Sequence, residues 1–283
     1  MPMHSRMENK RFHISRTSEM PKDRKYTTAL AKGQGIIDET MALLGIWGPG
    51  MTPKELADRA VEEGILGRAT AKRARDLVFQ AFSPRYLIDD ARPANYLKKL
   101  LKAGTTPRII NQLFLIYTAR ANALLHDFIC EVYWVKYSAG VTSLGKIDAL
   151  NFLEAAYTLG RLPNRWSDKM ISRVSSYLGG CLADFRLLEN GRKSTRNISP
   201  IQAHQATSLY IAHNLHFSGY GDNSIPDHPD WHLFGLERIE AVRDLQRVSN
   251  DHFIIQFSGE LLRISWKYQS MEEAIRAIAR SEF

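Results

Sequence analysis

Apolar positions along most of this chain recur every three or four residues, the spacing that lines one face of an α-helix. Leu56, Ala57, Ala60 and Val61 repeat in this way, and Gly64 ends the pattern. Thr52 is the expected cap of that helix. Pro53 takes the first helical position, where its missing N–H has no partner to lose, and Glu55 completes a capping box. Thr70 is placed to cap a second helix from Ala71 to Phe82. Ala74, Leu77, Val78 and Ala81 form its inner face, and Lys72, Arg73, Arg75 and Asp76 its outer one. Arg68 stands at its entry.

A similar order returns about a hundred residues later. The spacing of Ile147, Leu150, Leu153, Ala156 and Tyr157 predicts a helix from Lys146 that ends at Gly160. Pro163 in the following turn forbids its continuation. Ser167 caps the next helix, which is expected to run to about Leu182 with Met170, Ile171, Val174, Tyr177, Leu178 and Leu182 inward. Lys169, Ser172, Arg173, Ser175 and Ser176 face outward. The two turns, GILGRAT and GRLPNRWS, share a glycine exit, an apolar residue and an arginine. They read as two helix-turn-helix units, with turns longer than the tightest form and suited to winged variants.

Strand signals occur in two places. Asn190-Gly191 is the residue pair that best suits a two-residue hairpin turn, because both positions tolerate positive φ. Phe185, Leu187 and Leu188 would supply the strand before it, and Ile198 and Ile201 the return. Helix, turn, basic helix and hairpin is the order of a winged helix. The second signal is the alternation of HFIIQFSGELLRISWKY around Ser258-Gly259. Helices are expected from Ile201 to about Phe217, along LFGLERIEAVRDLQRVS, and from Met271 to Ala279. The last helix, the hairpin and the helix before it would form a third small winged unit or cap the second. The expected architecture is mainly α with short β-hairpins, as two helix-turn-helix or winged-helix-like units joined by bridging helices over 92–137. Its expected parts are a basic flexible tail (1–25), an N-terminal helical domain (26–137) and a winged-helix-like domain with helical and hairpin extension (138–283).

Charge gives this pattern a direction. The chain carries 38 Lys and Arg against 30 Asp and Glu, a formal +8, which favours a polyanionic partner. Half of that excess lies in residues 1–25, with seven cations and three anions. Residues 161–196 hold eight cations and three anions. Arg68, Lys72, Arg73 and Arg75 form one candidate phosphate-contacting set. Arg165, Lys169 and Arg173 lie on a second, groove-reading helix, with Arg192, Lys193 and Arg196 on its wing. Flexible cations beside small hydroxyls are what contacts to a phosphate backbone require.

Other chemistries find little support. Cys130 and Cys181 stand far apart in helical patterns, which argues against a disulfide framework or a Cys-x-x-Cys metal site. No phosphate-binding glycine loop, dinucleotide fingerprint, zinc-protease helix or nucleophile elbow occurs. His204, His213, His216, Asp227, His228, Asp230 and His232 could supply metal ligands, but without the paired spacing of a known site. No catalytic constellation, metal or cofactor is expected. Arg120, His126, Asp127, Glu131 and Lys136 interrupt the long apolar run after Ile109, so it reads as two core helices and not a membrane span. A cytoplasmic location follows as the expectation.

The stretches KYTTALAKGQGIIDETMALLGIW (25–47), KELADRAVEEGILGRATAKRARDLV, CLADFRLL (181–188) and HFSGYGDNSIPDHPDWHLFGLE (216–237) resemble the BrxA family of BREX bacteriophage-defence systems. That resemblance implies a helical, non-enzymatic component of a multi-protein defence island, with winged-helix architecture and double-stranded DNA binding. Other BREX components are then further partners. It equally admits an RNA-binding, NusB-like antitermination factor, or an assembly adaptor whose helices dock defence proteins. The resemblance supplies no residue-level motif, so the cations named above rest on the pattern of the chain alone.

Overall fold

A computed structural model describes residues 25–31, 34–191, 193–249 and 251–280. The basic stretch 1–25, apart from Lys25, and the expected wing residue Arg192 lie outside them.

The chain is mainly helical with small antiparallel sheets. After a 3₁₀ turn at Thr28–Ala31 come α1 (Ile37–Ile46), α2 (Pro53–Glu62) and α3 (Ala71–Leu77). A π turn at Val78–Phe82 carries α3 without a break into α4 (Ser83–Tyr86). Then follow α5 (Arg92–Lys102), α6 (Pro107–Ala121) and α7 (Ala123–Phe128), with a second π turn leading into α8 (Trp134–Ser138). The next group is β1 (Ser143–Gly145), α9 (Lys146–Thr158), α10 (Asp168–Asp184) and β2 (Thr195–Asn197). The chain closes with α11 (Gln205–Phe217), α12 (Arg238–Ser249), β3 (Phe253–Ser258), β4 (Leu261–Trp266) and α13 (Met271–Arg280).

The helix starts form as local chemistry dictates. Thr52 Oγ1 accepts the Glu55 N–H at 3.2 Å, while Glu55 Oε2 accepts the Thr52 N–H at 2.8 Å. Thr70 and Ser167 accept the N–H groups of Arg73 (3.2 Å) and Met170 (3.3 Å). Each such cap is worth about 1 kcal/mol. The apolar run after Ile109 becomes α6, buried on nearly every side from Ile109 to Ala119, then breaks at Asn122. Asn122 Oδ1 accepts the Leu125 N–H at 3.0 Å and so starts α7. Among the described residues no helix is long and apolar enough to cross a membrane.

A continuous core runs from Tyr26 to Ile278 and draws on both expected domains. Helix α11 is buried from Ala206 to Leu215 and lies against α6, α12 and α13. Arg120 on α6 supports this region from beneath: it pairs with the buried Asp230 and donates to Asn214 Oδ1 at 2.8 Å.

Several expectations shift. Helix α11 begins at Gln205, not Ile201, because residues 202–204 are held extended by Gln112. That side chain donates to Gln202 O (2.8 Å) and accepts the His204 N–H (2.9 Å). The C-terminal hairpin does not cap the second unit. Helix α13 packs on α11 and α5, where Lys99 faces Glu272 at 3.9 Å. The outer edge of β4 is bonded by side chains: Asp222 accepts the Ile264 N–H at 2.9 Å and Asn223 accepts the Leu262 N–H at 3.2 Å.

The hairpin expected at Asn190-Gly191 also takes another form. Strand β2 pairs antiparallel with β1, Ser143 opposite Asn197 and Gly145 opposite Thr195. Towards the preceding segment it makes a short pairing, with Leu188 bridged to Ile198 and the Glu189 N–H on Asn197 O at 3.0 Å. The chain before the loop is still closing α10: Arg186 is left-handed (φ 63°) and the Leu187 N–H returns to Leu182 O at 2.8 Å. A two-residue turn would need ladder partners immediately flanking Asn190-Gly191. Strand β2 instead begins only at Thr195.

Candidate nucleic-acid interface

The element order β1, α9, turn, α10, loop, β2, with β1 beside β2 and Leu188 bridged to Ile198, is consistent with a winged helix. Helix α10 presents its polar face because the other face is committed. Ile171, Val174, Leu178, Cys181 and Leu182 are buried, chiefly against α9 and the turn at Thr28–Ala31. Positions 169, 172, 173, 176 and 180 then fall on one side by helical spacing. Lys169 and Arg173 are exposed there, and no described residue forms an ion pair with either.

Two further cations meet this face from other elements. Lys146 opens α9, and its Nζ donates to Ser172 Oγ on α10 at 2.8 Å. Arg196 on β2 donates from one guanidinium nitrogen to Gly179 O at 3.0 Å. Both are half-buried. Beside them lies a cleft of about 290 Å³, bordered by Lys146, Lys193, Arg196, Ser175, Ser176 and Ser194. No carboxylate lines it. Asp148 on α9 lies beside the cleft, where it accepts the N–H of the lining Gly145 (2.7 Å) and pairs with Lys136 (2.8 Å).

The remaining cations chosen from the pattern fare differently. Arg165 sits between Glu154 (3.3 Å) and Asp168 (3.4 Å). Such exposed pairs are weak, about 0–1 kcal/mol, but they direct the guanidinium back onto the protein. In the first unit, Arg68 and Lys72 are exposed, and Arg75 turns to Asp58 on α2 at 3.6 Å. Arg73 borders a larger open cleft of about 730 Å³, whose far wall includes Tyr177 and Asp184 of α10. Asp38, Glu39 and Asp184 line that cleft, so acidic ground separates the two basic sets. Burial pushes the Asp184 carboxyl up, against the Gly35 N–H that it accepts at 2.9 Å. Gly35 is required there, since a Cβ would stand 2.4 Å from Asp184 Cβ.

Pattern reading passed over Lys146. Its signal is the three-residue strand before it, too short and too polar to register, and its role depends on α10 being folded alongside. The histidines act structurally. His204 caps α11, His216 stacks on Trp266 (4.2 Å between centroids), and His228 lies 3.4 Å from Asp230. His213 is enclosed by Phe253, Trp266 and Tyr268. Among the described residues no three His, Cys, Asp or Glu side chains gather as a metal site.

A family model for BrxA matches residues 24–214, about two thirds of the chain and all of the elements that build this face. The chain belongs to the BrxA family. Family membership suggests a part in BREX bacteriophage defence for this BrxA-family protein. No curated protein matches it. The crystal structure of an uncharacterized protein from Magnetospirillum magneticum is similar in fold, with a TM-score of 0.55 and 16% identity. It covers 68% of this chain and 94% of that one.

Proposed function

We propose that this BrxA-family protein is a non-enzymatic, double-stranded DNA-binding component of BREX defence. The observation that carries this reading is the run of cations along one face of the second unit. Lys169 and Arg173 on α10, Lys146 beside them and Lys193 on the loop are all free of acidic partners among the described residues. Helix α10 has 17 residues, a rod of about 25 Å, long enough to lie across a major groove. The loop then reaches the neighbouring backbone. Cations outnumber base-reading side chains on this face, so phosphate contacts should dominate and sequence preference should be slight. The first unit adds Arg68 and Lys72, set apart by the acidic cleft.

The test is a fluorescence-anisotropy titration of the full chain against a labelled duplex and a structured RNA of equal length. The expected result is duplex binding that weakens steeply with salt and is reduced by Lys169→Gln with Arg173→Gln. Tighter binding to the RNA, or no duplex binding at low salt, would overturn the proposal. The latter would leave an assembly role among the BREX components.

A further inference from the structure

We infer that the cleft between α10 and residues 193–194 is a phosphate-binding pocket that seats one phosphate group of the DNA backbone. This rests on the DNA-binding reading for its source of phosphate, but the pocket itself is argued from its walls.

The first argument is charge without a counter-charge. Lys146 and Arg196 are both half-buried, and each is held by a neutral oxygen, Ser172 Oγ at 2.8 Å and Gly179 O at 3.0 Å. Such bonds fix the direction of the cation; Lys146 has no acidic partner among the described residues, and Arg196 has only a through-space attraction to Asp184. A partly desolvated charge without an opposite partner is costly, and a bound anion removes that cost. Several other half-buried cations of this protein are answered by carboxylates, Arg120 by Asp230, Arg161 by Glu131 at 2.7 Å and Lys136 by Asp148 at 2.8 Å, whereas Lys98 is held by the Gly45 and Trp47 carbonyls. The cleft gathers two such cations with no carboxylate among its described lining residues, and Lys193 adds a third.

The second argument is the kind of anion. Ser194 lines the cleft, and its hydroxyl, without a partner among the described residues, can donate. At about 290 Å³ the cleft is at the lower end of the volumes that hold small ligands. Its apolar lining is only Leu144, Ala149 and Leu188, and no aromatic ring is present to stack a base. The walls therefore suit a phosphate group and offer nothing to a nucleobase. Arg196, tied to the α10 backbone, sets the depth of the pocket. Lys146 ties the same phosphate to the helix that would lie in the groove.

The experiment uses the full chain, its Lys146→Gln variant and the conservative Lys146→Arg variant, each first checked for an unchanged helical circular-dichroism spectrum. In one arm, thermal unfolding is followed in inorganic phosphate and in chloride at matched ionic strength. Phosphate should raise the midpoint of the parent and of Lys146→Arg but not of Lys146→Gln. In the other arm, duplex affinity is titrated against salt. Lys146→Gln should flatten the log–log slope by about 1, and Lys146→Arg should restore it. If the parent binds duplex and Lys146→Gln keeps both its slope and its phosphate response, the pocket is refuted while the DNA reading stands. If the Lys146-dependent phosphate response is present but duplex binding is absent, the pocket stands with a free phosphate group as its ligand, and the DNA reading falls. A parent that responds to neither overturns both.

Discussion

Replacing Lys169 and Arg173 by Gln removes two positive charges from the exposed face of α10 without touching its packed face. The residues that hold the helix are Ile171, Val174, Leu178, Cys181 and Leu182, so unfolding stability should change little; surface substitutions of this kind fall within about 0.5 kcal/mol. The effect on a polyanion should be large and has a definite form. Four cations stand free on this face: Lys146, Lys169, Arg173 and Lys193. If each neutralises one phosphate, the slope of log affinity against log salt is about −3.6, so binding falls by about two orders of magnitude between 50 and 200 mM salt. With two contacts removed the slope becomes about −1.8, and the same change in salt costs only about tenfold. The assay is fluorescence anisotropy with a labelled duplex at four or five salt concentrations, and the slope is the quantity compared. A variant with weaker binding but an unchanged slope would show that these side chains act through structure and not through phosphate. An unchanged affinity would remove α10 from the interface.

Three further outcomes follow from the interior and the backbone. Burial works to raise the Asp230 carboxyl, but Arg120 and His228 overcome it and hold it well below the usual carboxylate range. Asp230→Asn should therefore cost about 3–5 kcal/mol by leaving Arg120 without its partner. The parent's advantage should be full above the unfolded carboxylate pKa of about 3.9 and disappear only as pH falls through the folded value, read by urea unfolding at pH 7 and below pH 4. His213 is lowered to about 4 by burial, against the Leu209 carbonyl that favours its protonated form. The unfolded chain therefore takes up a proton first, and stability should be lost as pH falls from about 6.5 towards 4, by on the order of 3 kcal/mol. His213→Phe should flatten that part of the pH–stability curve; a parent and variant with parallel curves would refute the assignment. Asp90 is exposed with φ 57°, the middle of three consecutive left-handed residues, Asp89 to Ala91. Asp90→Gly should raise the thermal midpoint by the equivalent of about 1 kcal/mol, and a lower midpoint would contradict a strained turn.

The local features of this protein were legible along the chain because their causes lie within a few residues. Thr52, Thr70 and Ser167 cap the helices they precede, and Pro163 and Gly160 end the one before them. The apolar face of α10 follows from a 3.6-residue repeat, although Ser175, expected outward, is buried; α9 buries Ala149, Phe152, Leu153 and Ala156 and leaves Ile147 and Tyr157 of the expected stripe exposed. What tertiary structure alone decided is which cations remain available. Arg165 and Arg75 look like Lys169 and Arg173 in the pattern, yet Glu154 and Asp58 arrive from other helices to face the first two. Strand β2 pairs along its length with β1 some fifty residues upstream and only at its end with the segment before Asn190-Gly191, and that pairing brings Arg196 to α10. Lys146 comes to α10 for the same reason. Helix propensity and capping are energies between near neighbours, written in the sequence at short range. Ion pairing and strand pairing depend on which distant residues the common core brings within reach, and no short window of residues contains that information.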